Sequence, residues 1–489
     1  MNTMSLEQVK AYAKEYKIVP ICRSIYADIR TPVEVLRILK HISPRCYLLE
    51  SMEDAKRWGR YTFLGYDPQM EVTCKNHTVH LKAGTDVAVQ TAEPEEFIRQ
   101  ILADNISPKI ENLPPFTGGL VGYFSYDYIK YAEPSLRIEA ADDENIPDFD
   151  LFLFENVIVF DNLKQRIMLI CNVRLDAPEE NYNRAILEMD RMEQLLREGK
   201  KTSPEPLQLE GPFHPLFTKE EYCRMVEKGK EYIREGDIFQ VVLSNRMEAT
   251  ASGSLFDTYR VLRTVNPSPY MFYFSGDDIE IVGSSPETLT RLQDDTLFTF
   301  PLAGTRPRGA TPEMDETLEQ ELLHNPKELA EHNMLVDLGR NDLGRISEFG
   351  SVHVEKYLEV LRFSHVMHLG STVKSTIRSG KTAVDAIGSV LPAGTLSGAP
   401  KIRACQIIDE LEGCKRGIYG GAIGYIDFTG NMDTCIGIRL VYKKGKRIFV
   451  RAGAGIVADS VPENEYAECL NKAGAVMTAI AQAEGGIDK

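Results

Sequence analysis

Two Glu-x-x-Glu pairs carry the clearest chemical potential in the chain. Glu328 and Glu331 follow Asn325-Pro326, and Glu465 and Glu468 follow Pro462, with Lys472 one turn further on. Asparagine is a preferred helix cap, and proline sits well in a first turn, where its missing N–H costs little. Both pairs therefore fall in an early helical turn, and spacings of three and four put each set on one face. Like charges one turn apart repel. The helix dipole relieves part of that, and a bound cation would relieve more. Two such pairs supply a hard oxygen site of the kind Mg²⁺ takes, with a few carboxylates, retained waters and an anionic substrate. Taken singly, each pair is more often simply a solvated helix face, since charged residues are normally exposed.

Other segments offer anion-binding groups. Phe300-Pro-Leu-Ala303-Gly304-Thr305-Arg306-Pro-Arg308-Gly309 joins a glycine turn to two arginines and reads as a loop that offers N–H groups and cations to a carboxylate, or as a solvated turn. Leu391 to Lys401 is a small-residue loop before a helix that starts near Pro400, able to offer N–H groups and hydroxyls to an anion. Lys401 lacks the glycine frame of a phosphate loop. His365-x-x-His368 is a metal pair, a general base or a packed structural pair. Gly453-Ala-Gly455 lacks the third glycine and the acid of a dinucleotide fingerprint. Leu335 to Asp342 reads as a charged helix end.

The elements that must position these residues follow from periodicity. Tyr466, Leu470, Ala473, Met477 and Ile480 give the last helix an apolar face for the core. Ile448-Phe-Val450 is a short strand running into Gly453 and Gly455. Further helices are expected over 5–16, from Pro32, over 181–196 and over 219–235. Strands are expected at 46–51, from Arg60 through His80, and at 118–126, 149–160, 166–173, 238–246, 271–274 and 279–283. More fall around Val352 and Leu369, and at 418–428 and 434–442. Asp161-Asn162 supplies a turn between two adjacent strands. The mixture of hairpins and helices indicates an α+β fold with antiparallel sheets. Gly199 to Gln208, rich in Pro, Ser and charge, is the best linker. It divides the chain into an N-terminal domain (1–200), a linker (201–215) and a second domain (216–489).

Composition narrows the function. A chain of 489 residues with 43% hydrophobic and 26% charged residues reads as an ordinary globular protein. The net charge of −16 argues against general binding to nucleic acid or anionic membrane. The first residues lack the pattern of a signal peptide, and no apolar run is long enough to span a bilayer. The nine cysteines are scattered, without Cys-x-x-Cys, which predicts reduced thiols and a cytoplasmic protein.

Together the motifs are more specific than any one of them. Pro301-Leu-Ala-Gly-Thr-Arg306, Glu328-Leu-Ala-Glu331-His332, Leu335 to Asp342, Leu391-Pro-Ala-Gly-Thr-Leu-Ser-Gly-Ala-Pro-Lys401 and Gly453-Ala-Gly-Ile-Val-Ala458 before Glu465-x-x-Glu468 occur in that order. From about residue 18 onward the chain resembles the chorismate-utilising enzymes, most closely the large subunits of anthranilate synthases. The resemblance implies the chorismate-binding fold shared with aminodeoxychorismate synthase: antiparallel sheets packed as a sandwich with helices outside. It implies Mg²⁺ held through Glu328 and Glu465, with Glu331 and Glu468 in support. It implies chorismate carboxylates met by Arg439, Lys472, Tyr419, Thr395 and the Gly453 backbone, with Gly455, Gly304 and Thr305 also lining the substrate site. His368 becomes the acid–base group in the loss of pyruvate, and Glu287 the acid for the departing hydroxyl; Thr395 is grouped with them as catalytic.

The implied reaction takes chorismate and ammonia to anthranilate and pyruvate, the first committed step of tryptophan biosynthesis. Two positions separate the relatives. Those that add water carry a lysine base where this chain has Gln240, and aminodeoxychorismate synthase usually carries a nucleophilic lysine where this chain has Ala303. Leu48-Leu-Glu50-Ser51 and Asn266-Pro-Ser-Pro269-Tyr270-Met271 match the family's feedback site for L-tryptophan. No segment resembles a glutaminase. A separate glutamine amidotransferase subunit is therefore expected to supply ammonia, in a heterotetramer.

Overall fold

Alternating hydrophobic strands dominate the chain, and they need a face on each side to cover. A computed structural model describes residues 3–52, 59–362 and 366–488. It resolves that need with two antiparallel sheets, of 13 and 12 strands, packed face to face. Aromatic side chains fill the space between them, including Tyr47, Phe63, Phe116, Phe154, Phe272, Tyr442 and Phe449. Helices cover the outer faces. Pro32–Ile42, Pro178–Glu198, Lys219–Arg234, Phe256–Val265 and Pro462–Ala483 pack on the first sheet. Pro326–Gly344 and Ala383–Val390 pack on the second. The α+β sandwich expected from the sequence is the fold.

Residues from both sides of the expected linker enter both sheets. Ile18–Tyr26 and Arg166–Arg174 stand at one end of the first sheet, and Gln240–Ser252 and Arg447–Ile456 stand towards the other. The apolar stretch 149–160 is two strands. Phe149–Phe154 belongs to the second sheet and Asn156–Asp161 to the first, so the chain changes sheets at Glu155. The apolar runs on either side report burial on both faces, and the polar pair Glu155-Asn156 marks the break. The stretch 434–442 likewise divides into Met432–Ile436 and Leu440–Lys444.

The last helix begins at Pro462 as expected, but its buried stripe runs through Cys469, Ala473, Val476 and Ile480. Tyr466 and Met477 pack at the edge of that core. Among the described residues no helix is long and apolar enough to cross a membrane. All nine cysteines are free thiols.

Candidate active site

The glycines near the end of the chain lie within a strand. Arg447–Ile456 pairs with Gln240–Ser252, placing Gly453 opposite Ser244 and Gly455 opposite Val242. A Cβ on Gly453 would sit 2.6 Å from the Leu243 carbonyl oxygen and 2.9 Å from the Tyr419 hydroxyl; one on Gly455 would sit 2.9 Å from Gln240 Nε2. Glycine is required because Tyr419 and Gln240 fold over bare backbone, which leaves an open floor. Behind the floor Arg416 donates to the Leu396 carbonyl at 2.6 Å and the Val242 carbonyl at 2.7 Å. It also pairs with the buried Glu412.

The 300–309 segment is a strand rather than a loop. Leu302–Pro307 forms one end of the second sheet and pairs with Val366–Thr376. The register slips at Gly304, whose φ is +67°, so Thr305 stands opposite His368. His368 Nδ1 lies 3.0 Å from both the Gly304 carbonyl and the Thr305 hydroxyl. Burial lowers the His368 pKa, the Gly304 carbonyl opposes that, and Arg439 adds to it. The lowered value favours the neutral ring, with Nδ1 assigned as the donor to the Gly304 carbonyl. His365 lies outside the described residues.

Arg306 and Arg308 meet protein carboxylates instead of offering themselves to a ligand. Arg306 pairs with Glu321 and Glu328, and Arg308 with Asp315 on the helix Pro312–His324. Lys401 is likewise structural. It holds buried Asp342 at 2.7 Å and the Val390 carbonyl at 2.9 Å, which also accounts for the charged helix end.

The two Glu-x-x-Glu helices converge on the opening of the floor. Asn325 caps Pro326–Gly344 by accepting from Lys327 N and Glu328 N. Glu328 and Glu465 are half-buried, whereas Glu331 and Glu468 stand exposed at the rim. Lys472 Nζ meets Glu468 Oε1 at 2.6 Å. Partial burial raises the Glu465 pKa and the Glu468 charge adds to it, against the pull of Ser460, Lys472 and Lys327. Among the described residues no three His, Cys, Asp or Glu side chains converge as a closed metal cage. The open set of crowded carboxylates suits Mg²⁺, which usually keeps its waters and takes one or two carboxylates plus substrate oxygens.

Glu287 follows the strand Ile279–Ser285 and faces the same space. Burial raises its pKa to about 7, although the Thr395 hydroxyl donates to Oε1 at 3.1 Å and Lys472 adds a smaller opposing charge. Arg439 adopts φ +52° in the turn between two strands and donates to the Lys472 carbonyl. Burial lowers its pKa, with Tyr419 and Glu468 opposing.

One cavity of about 610 Å³ gathers these groups. His368, Glu287, Thr395, Tyr419, Arg439, Gly453, Gly455, Lys472, Gly304, Thr305, Glu328, Glu331, Glu465 and Glu468 all line it, as do Gln240 and Ala303. Arg451, which the sequence reading passed over, lines it as well. It is two residues before Gly453 and so on the same face of the strand, a signal the period of two could have given. A second cavity, of about 350 Å³, gathers Glu50, Ser51, Pro269, Tyr270 and Met271 with Tyr61, Phe63 and Tyr425.

The family described as chorismate binding enzyme matches residues 44–478. The chain belongs to the chorismate binding enzymes. Among curated relatives, anthranilate synthase component 1 of Acetivibrio thermocellus is 46% identical over 98% of both chains. That of Aquifex aeolicus is 43% identical, again over 98% of both. Among solved structures, anthranilate synthase component I from Streptococcus pneumoniae aligns at TM-score 0.77 and 37% identity, over 93% of this chain and 99% of that one. The menaquinone-specific isochorismate synthase of Escherichia coli aligns at TM-score 0.70 and 20% identity, over 97% and 98%, and shares the fold. In this family member the cavity lies where the sandwich floor, the bulged edge strand and the two acidic helices meet.

Proposed function

We propose that this cavity is where chorismate and ammonia become anthranilate and pyruvate. The chain is a chorismate-utilising lyase of the anthranilate synthase kind, as its near full-length identity to component 1 enzymes supports. The observation that carries the reaction is the meeting of a carboxyl, Glu287, and an imidazole, His368, in one cavity beside Arg439 and Lys472; burial raises the pKa of the first and lowers that of the second.

Chorismate is a dianion. Arg439, Lys472, the Tyr419 hydroxyl, Thr395 and the Gly453 backbone all line the cavity and would receive its carboxylates. Glu328 and Glu465, supported by Glu331 and Glu468, would hold Mg²⁺, which supplies charge neutralisation and ring orientation. Ammonia adds at C2 as the C4 hydroxyl departs, and Glu287 donates the proton that lets it leave as water. The ammonium formed on C2 gives up its extra proton, which restores Glu287; His368 then removes the C2 proton as the bond from the ring to the enolpyruvyl oxygen breaks, and that proton ends on the methylene carbon as enolpyruvate becomes pyruvate. Burial raises the Glu287 pKa to about 7, near neutral pH, which suits a proton donor, and lowers that of His368, which keeps the imidazole available as a base. Gln240 is a neutral amide and cannot deprotonate water, and Ala303 offers no nucleophile, so ammonia is the entering group.

Ammonia is supplied by a separate glutaminase subunit, and the pair assembles as a heterotetramer. The nine free thiols fit a reducing cytoplasm. The second cavity is proposed to take L-tryptophan. Its aromatic walls suit an indole, and Glu50 is held ready by Arg263 at 2.6 Å and by Tyr259. Tyr270 reaches Thr288, the neighbour of Glu287, at 2.9 Å, which gives the inhibitor a short route to the chemistry.

The test is anthranilate fluorescence from the purified chain with chorismate, an ammonium salt and Mg²⁺. Fluorescence should appear, require Mg²⁺ and fall when tryptophan is added. Chorismate consumed without fluorescence would overturn the product assignment. The double variant Glu328→Gln with Glu465→Gln should lose turnover, and the parent rate in that variant would overturn the metal assignment.

A further inference from the structure

Arg306 does not line the cavity, but its contacts converge on a residue that does. Three acceptors fix its guanidinium. Nη1 donates to Glu328 Oε1 at 3.0 Å and to the Thr305 carbonyl at 2.8 Å, and Nε donates to Glu321 Oε1 at 3.0 Å. Thr305 belongs to the edge strand, Glu321 to the helix Pro312–His324 and Glu328 to the helix Pro326–Gly344. One planar fork therefore ties three elements together, which a lysine, as a single point charge, would not do.

The two oxygens of Glu328 are in different surroundings. Oε1 is taken by Arg306, which is not among the residues that line the cavity. Oε2 would lie 3.1 Å from a Cβ on Gly304, a residue that faces the cavity. The side chains of Arg306 and Glu328 are only 16% and 21% exposed, so solvent weakens this pair less than an open surface pair. An unpaired glutamate in an early helical turn would sample several rotamers, and ordering it on binding costs affinity. Carboxylates that ligate metals are commonly held from behind by such a hydrogen-bond partner.

We propose that Arg306, braced by Glu321, is a positioning residue that fixes the Glu328 carboxylate with Oε2 toward the cavity, ready for a divalent cation. The proposal rests on the metal assignment made above for Glu328.

The test uses the full chain with chorismate present and ammonium withheld, titrated with Mn²⁺ and read by the electron paramagnetic resonance of the free ion. Arg306→Gln should weaken Mn²⁺ binding about tenfold, the lower end of the range for such partners. In the fluorescence assay the same variant should need more Mg²⁺, and its kcat should return close to the parent's once the metal is saturating. Glu321→Ala removes only the exposed brace and should cost about threefold in Mn²⁺ affinity. Because Glu321 lies at the surface, this variant keeps the test open if Arg306→Gln fails to fold. Parental Mn²⁺ affinity in Arg306→Gln, or in Glu321→Ala if only that variant folds, overturns the positioning role when Glu328→Gln has lost the site. Parental affinity in Glu328→Gln is a different failure, because it removes the metal assignment itself.

Discussion

At the scale of single residues, the division of labour proposed for Glu287 and His368 follows from their surroundings. Burial favours the uncharged form of each, raising the carboxyl and lowering the imidazole. Glu287 is therefore an acid that is lost as pH rises through about 7, and His368 is a base that is available above its lowered value. With free ammonia held constant, kcat/KM for chorismate should fall on the alkaline side around pH 7. Thr395 donates to the ionised form of Glu287 and so favours ionisation. Thr395→Val should move that limb to higher pH, and Glu287→Gln should abolish it while lowering kcat by about 10²-fold or more. A limb that stays in place in both variants would remove Glu287 as the proton donor.

At the scale of elements, the bulge at Gly304 decides which side chains of the edge strand meet His368. A regular ladder there would turn the residues after it to the opposite face. Gly304 tolerates φ +67°, and a Cβ would lie 2.9 Å from Leu322 Cδ1 and 3.1 Å from Glu328 Oε2. Gly304→Ala should therefore destabilise the strand by about 1–2 kcal/mol and displace Glu328. The measurable outcome is a lower melting temperature together with weaker Mn²⁺ binding, and unchanged Mn²⁺ binding would show that the bulge leaves Glu328 undisturbed. This element also marks how far the sequence could be read. Helix caps such as Asn325 and starts such as Pro462 are local chemistry, and they were legible. The acidic pairs and glycines were legible because they stand at helix starts and in a close strand approach. The strand character of 302–307 was not, since its partner lies more than sixty residues away and Gly-Thr-Arg-Pro has the composition of a loop. The contacts of Arg306 and Lys401 were hidden for the same reason: a cation in a sequence does not reveal which carboxylate the fold will bring to it. The change of sheets was marked in the sequence only by Glu155-Asn156, a short polar interruption between two apolar runs.

At the scale of the whole molecule, strands from both ends of the chain interleave in both sheets, so the layer between the sheets belongs to the entire fold. That layer holds an acid the chemistry does not use. Asp150 lies in Phe149–Phe154 opposite Tyr123, on the side of the strand that faces the other sheet with Phe152 and Phe154. It is 5% exposed, and among the described residues neither its Oδ1 nor the Tyr123 hydroxyl has a hydrogen-bond partner. Burial raises its pKa to about 8, and Glu71 adds to the effect. Asp127 and Asp427, also buried, are raised to about 6. A carboxyl raised on folding binds its proton more tightly in the native state. Its stabilising contribution is complete below the ordinary carboxylate range and is lost as pH rises through the raised value. The melting temperature should therefore decline from mildly acid to alkaline pH. Asp150→Asn keeps the shape and removes the ionisation. At about pH 9 it should melt roughly 2 °C or more above the parent, and at about pH 5 it should show no such gain. A variant that melts with the parent at both pH values would mean that Asp150 is solvated or paired on folding, and that the alkaline loss must be assigned to Asp127, Asp427 and Glu287 instead.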